Sequence, residues 1–127
     1  MTASSPAAGP APGATPARVS THVLDTQRGR PAAGVPVRLD AYIDDTWRPL
    51  DEGATDEDGR WSAQPEAGSA GPGTYRLRFG TGPYFAGLGV PTFYPEVSVI
   101  FTIADPAERH HVPLLLSPFG YSTYRGS

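Results

Sequence analysis

Residues 111–127 read HVPLLLSPFGYSTYRGS, and their pattern decides the fold. Val112, Leu114 and Leu116 alternate with His111, Pro113, Leu115 and Ser117. At period two, these sets face opposite sides of a strand. Ser117-Pro118-Phe119-Gly120 supplies the residues of a reversing turn. Tyr121 to Ser127 then runs on through a segment rich in β-formers. Chain ends ordinarily fray. Here two Tyr, an Arg and a carboxylate follow directly on an apolar strand, so the end is expected to be pinned in place.

The same alternation recurs upstream. Val19, Thr21 and Val23 oppose Ser20, His22 and Leu24 within Arg18–Asp25. Val35, Val37, Leu39, Ala41 and Ile43 oppose Arg38, Asp40 and Tyr42, the clearest half-buried strand in the chain. Short strands are expected at Trp47–Glu52 and Arg60–Ser62, with a polar turn at Ala54–Gly59 between them. Tyr75, Leu77 and Phe79 oppose Arg76 and Arg78. Val97, Val99 and Phe101 oppose Ser98, Ile100 and Thr102 in a strand expected over Tyr94–Ile103. Tyr84, Phe85 and Leu88 have helical spacing, but Gly82, Gly87 and Gly89 limit that helix to one or two turns. Seven or eight short strands with regular turn signals predict an all-β fold, an antiparallel β-sandwich with one short helix.

The 127 residues carry a net charge of −3 and no cysteine. Disulfide and thiol chemistry are therefore excluded, which fits a cytoplasmic protein. The Arg residues are scattered, which argues against a nucleic-acid partner. No apolar run is long enough to span a membrane as a helix. Residues 1–17 are almost all Ala, Pro, Gly, Ser and Thr and offer too little apolar area to offset ordering. They are expected to form a disordered tail without the features of a secretory signal. Residues 18–127 are expected to form one domain.

Four segments together resemble a known family. HVPLLLSPFGYSTYRGS, ending in Tyr124-Arg125-Gly126-Ser127, is similar to the C-terminal signature of the transthyretin-like family that includes 5-hydroxyisourate hydrolase. Ser20-Thr21-His22-Val23-Leu24-Asp25 resembles its N-terminal signature. The Gly29 to Val35 spacing and the Thr55-Asp56-x-Asp58-Gly59-Arg60 turn match two internal ones. The resemblance implies a transthyretin-like (prealbumin-like) sandwich assembled as a homotetramer, a dimer of dimers. It implies active sites in a channel at the dimer–dimer interface. His22, Arg60, His111 and the terminal tetrapeptide would form the site. Tyr124 would contact substrate, and Ser127 would hold a His. The implied reaction opens 5-hydroxyisourate to 2-oxo-4-hydroxy-4-carboxy-5-ureidoimidazoline in urate degradation. One departure stands out: the family commonly has His-Tyr-His where this chain has Arg109-His110-His111. His110 is expected to be structural, on the core side.

The residues suit that chemistry. Opening a cyclic amide needs a base to activate water and a positive group for the developing oxyanion. A His titrates near neutrality and serves as the base. A fixed guanidinium serves as the anchor for oxyanion and planar substrate. Which His is the base stays open at the level of sequence. No cofactor is expected, and no metal. His110 and His111 are adjacent on a strand and face apart, and no His-x-His or Cys spacing exists. The acidic run Asp51–Asp58 lacks the ligand spacing of a calcium loop. The alternative is a non-catalytic carrier of small ligands on the same scaffold. A lysine in place of His22 and an extended C-terminus would favour it.

Overall fold

The computed structural model describes residues 18–64 and 71–127. The expected tail at 1–17 and the centre of the expected Pro/Gly-rich loop at 65–70 lie outside the described residues. The elements in chain order are β1 (Arg18–Asp25), β2 (Arg30–Pro31), β3 (Pro36–Ile43), β4 (Thr46–Ala54), β5 (Arg60–Ser62), β6 (Gly73–Phe79), α1 (Thr81–Gly87), β7 (Val97–Ile103), β8 (Arg109–Ser117) and β9 (Gly120–Thr123). They form two sheets. One has the order β2-β1-β8-β9, with β5 also paired to β1; the other is β4-β3-β6-β7.

The inward residues are those the alternation marked. Val19 and Val23, Val37 and Leu39, Leu77 and Phe79, Leu114 and Leu116 are all almost inaccessible to solvent. Each such side chain contributes about 1.5–3 kcal/mol of transfer free energy. His110 shares this inward face at 5 % exposure, and its Nδ1 has no hydrogen-bond partner among the described residues.

Two expectations need correction. The sandwich is not antiparallel throughout: β1 and β8 run parallel over the full length of β1. Short turns force neighbours to be antiparallel. These two strands are joined through the whole of the other sheet, so no turn constrains their direction. The strand expected from Tyr94 begins only at Val97. The carbonyls of Tyr94 and Pro95 instead accept hydrogen bonds from Thr81 Oγ1 and Gly82 N at the start of α1.

Asp25, fully buried, closes the end of β1. Its Oδ1 accepts the backbone N–H groups of Gln27 and Arg28 at 3.1 and 3.0 Å. Its Oδ2 accepts the Tyr84 hydroxyl of α1 at 2.7 Å. The Asp of the N-terminal signature therefore fastens a turn and a helix. Burial, reinforced by this carboxylate, pushes the Tyr84 hydroxyl above its ordinary pKa.

Candidate active site

Strand register brings the sequence-predicted residues together on the outer face of the β1-β8 sheet. In one row, Arg60 of β5 pairs with His22 of β1, and His22 pairs with Pro113 of β8. In the next row, Ser62 pairs with Ser20 and Ser20 with His111. Directly paired residues project to the same face with Cβ atoms roughly 5 Å apart, and diagonal neighbours lie roughly 7–8 Å apart. His22, Arg60 and His111 therefore share one patch.

The turn before Arg60 is built to hold it. Asp56 Oδ1 accepts the backbone N–H groups of Asp58 and Arg60, both at 2.9 Å. Gly59 has φ +76°, and a Cβ there would stand 2.4 Å from the Val23 carbonyl, so only glycine fits. Thr55 Oγ1 donates to the Ala32 carbonyl at 2.7 Å and accepts from Val35 N–H at 2.9 Å. Two of the sequence signatures are thus structural braces: one ties the turn before β5 to the segment that leads into β3, and the other shapes the turn that delivers Arg60.

Ser20 Oγ lies 2.8 Å from His111 Nδ1. This contact was not assigned from sequence. Its signal is the parallel register that sets Ser20 beside His111, and nothing local to either residue reveals it. The ring is held through Nδ1, and Nε2 has no partner among the described residues. Burial lowers the His111 pKa below 6.5, and the charges of Arg60 and His22 lower it further. His111 is therefore a neutral imidazole at pH 7, the form a general base requires.

The C-terminal segment crosses this strand. Pro113 has no N–H to donate, and the β8·β9 ladder stops after Thr123. Pairing resumes where Gly126 N–H donates to the His111 carbonyl at 2.8 Å. A Cβ on Gly126 would stand 2.6 Å from His111 Cδ2, so the glycine of the terminal tetrapeptide permits close packing on the imidazole. The intervening register brings Tyr124, 57 % exposed, level with Pro113 in the row of His22 and Arg60. Arg125 turns to Glu108 at 3.1 Å. Ser127 is exposed, and the hydroxyl on His111 Nδ1 is that of Ser20.

Among the described residues, no carboxylate forms an ion pair with Arg60, His22 or His111. No group of three or more His, Asp or Glu side chains there could hold a metal ion.

The HIUase/Transthyretin family model matches residues 19–126. The chain belongs to this family. It is 50 % identical over 109 residues to the 5-hydroxyisourate hydrolase of Salmonella dublin, covering 86 % of this chain and 80 % of that one. The solved 5-hydroxyisourate hydrolase of Klebsiella pneumoniae superposes with a TM-score of 0.72 at 34 % identity, covering 87 % of this chain and 94 % of that one. Transthyretin from Sparus aurata superposes with a TM-score of 0.78 at 27 % identity, covering 85 % and 95 %.

Proposed function

We propose that this protein hydrolyses 5-hydroxyisourate to 2-oxo-4-hydroxy-4-carboxy-5-ureidoimidazoline, with His111 as general base. The observation that carries this reading is the patch itself. It combines a neutral imidazole held through one nitrogen with an unpaired guanidinium, on an open sheet face, in a chain half identical to a hydrolase of that substrate.

His111 Nε2 takes a proton from water as its oxygen attacks the ring acyl carbon. Ser20 Oγ accepts a hydrogen bond from Nδ1–H, which keeps Nε2 free in the base and stabilises the imidazolium that forms. Arg60 holds the oxyanion as it develops, where a fixed positive group acts most strongly. Collapse breaks the ring C–N bond, and the imidazolium returns its proton to the leaving nitrogen. His22, in the row of Arg60, orients the planar ring, and Tyr124 closes the other end of that row. Ser127 adds its hydroxyl or carboxylate to the His pair.

The reaction takes place in the cytoplasm, in a homotetramer whose channel is made when the site-bearing faces of two dimers meet. Strands β7 and β9 each keep one unpaired edge in the sheet order, and such edges are templates for pairing with another copy. Phe93 and Phe119, about 70 % exposed, sit in sequence-distant loops joined where Phe93 N–H donates to the Pro118 carbonyl and supply apolar contact area.

An ultraviolet time course tests the activity. Urate oxidase generates the intermediate, and this protein is then added. Decay should accelerate in proportion to protein, and His111→Ala should abolish the acceleration. Decay at the spontaneous rate with folded protein would replace the hydrolase by the carrier reading.

A further inference from the structure

One row further along the same sheet face, the parallel register pairs Arg18 of β1 with Arg109 of β8. Both are exposed. Neither has an ion-pair partner among the described residues, and Glu108, next to Arg109 in sequence, pairs with Arg125. Together with Ser20 and Ser62 they line a recess of about 260 Å³. Like charges placed directly side by side on a sheet are unfavourable. Here two guanidiniums stand together with no acid between them. The pair is one same-face step, about 6.5 Å, from Ser20 and His111.

We propose that Arg18 and Arg109 form an anion subsite at the edge of the active patch, which captures an anionic planar heterocycle before it reaches Arg60. This rests on the hydrolase reading for the identity of the ligand and on the register alone for the site. The ligand class follows from the donors. Two guanidinium forks beside two hydroxyls match a delocalised oxyanion in the plane of a ring. The positions also follow from the way the patch is built. Arg60 sits in the row of His22 and the Arg pair lies on the far side of His111, so a ring anion passing from one to the other crosses the base. Two unpaired cations in a shallow recess raise the local concentration of such an anion, an effect that salt screens. Arg109 is the residue that stands where the family commonly has His. A permanent charge there makes capture independent of pH in the range where a His would titrate.

The test uses the full chain with Arg18→Gln, Arg109→Gln and the double variant. Both positions of charge removal are exposed, so the melting curves of all three variants should coincide with that of the parent. The proposal expects KM for the double variant to rise roughly threefold or more at about 0.01 M salt with kcat unchanged. It expects the parent's kcat/KM to fall as salt is raised to about 0.15 M, where the Debye length shrinks from roughly 30 to roughly 8 Å. The double variant should show a flatter dependence. Equal KM values and equal salt slopes would overturn it. A second readout is independent of turnover. Titration with urate, a stable planar anion, should shift the Arg18 and Arg109 side-chain N–H resonances, and equimolar inorganic phosphate should shift them less. Resonances unmoved by urate would overturn the subsite even in an active enzyme. Shifts in a protein without hydrolase activity would retain the subsite and remove the reaction.

Discussion

On the outer face of the β4-β3-β6-β7 sheet, Arg76 and Arg78 converge on the buried carboxylate of Asp40. On the outer face of the other sheet, Arg60, His22 and His111 gather with no ion-paired acid among the described residues. Asp40 is 1 % exposed. Its Oδ2 accepts Arg76 Nε and Nη2, both at 2.9 Å, and Arg78 Nε at 3.0 Å. The Arg76 guanidinium also lies 4.2 Å from the Trp47 ring. Both faces place basic residues at non-core positions of alternating strands. Only one supplies its own counter-charge. A set of cations satisfied from within is a stabilising network, whereas cations left open beside a neutral imidazole keep their field for a ligand.

The largest effects should come from the open face. His111→Ala and Arg60→Ala should each lower kcat/KM at least about 100-fold, while melting temperature and assembly stay as in the parent. Steady-state kinetics paired with thermal melts measure both. An equal loss of stability would mean that the open face is a structural network like the closed one.

Asp40→Ala is the mirror experiment. It strands two partly buried guanidiniums and should cost about 2 kcal/mol of unfolding free energy. The kcat/KM per folded molecule should not change. Chemical denaturation gives the first number and active-fraction kinetics the second. A catalytic defect without destabilisation would reverse the assignment of the two faces.

Ser20→Ala should have a smaller effect, about tenfold in kcat/KM, because the imidazole loses its holder but not its position in the strand. Ser20→Thr, which keeps the hydroxyl, should recover most of it. The readout specific to positioning is the ¹⁵N chemical shift of His111, which reports the tautomer. It should move in Ser20→Ala and return in Ser20→Thr. An unchanged tautomer with unchanged rate would leave Ser20 without a role in catalysis.

The two faces differed in how far they could be read in advance. Period-two alternation separates inward from outward residues, so the core and the outward placement of His22 and Arg78 alike were legible. The resemblance then singled out His22, Arg60, His111 and Tyr124 among the outward set. What alternation cannot carry is register. The Ser20–His111 bond spans 91 residues of sequence, and so does the parallel direction of β1 against β8. Asp40 was legible as outward but not as buried, since its burial is made by side chains that arrive from β6. Signature residues also divided by role. Asp25, Thr55, Asp56 and Gly59 look as chemical as Arg60 in sequence, and hydrogen bonding shows each to be spent on a turn or brace. The basic signature residues that this accounting leaves without a side-chain partner among the described residues are His22 and Arg60.

The smallest effect concerns the protonation of His111. Its pKa is lowered first by burial, then by the nearby charges of Arg60 and His22. The rate with the parent should therefore rise as pH climbs through a value below 6.5, and level off once the ring is neutral. Arg60→Gln removes one of the opposing charges and leaves the burial. The His111 midpoint should then move upward, toward the ordinary His value, while staying below it. NMR titration of the imidazole reads this without depending on the weakened activity. Added salt should move the parent's midpoint in the same direction, because the Arg60 field is partly exposed to screening, and should move that of Arg60→Gln less. On the closed face, the same salt should leave the Asp40 network's contribution to stability nearly unchanged, since that carboxylate is out of contact with solvent. An unshifted midpoint in Arg60→Gln would mean that Arg60 does not act on His111 through its field, and that burial alone prepares the base.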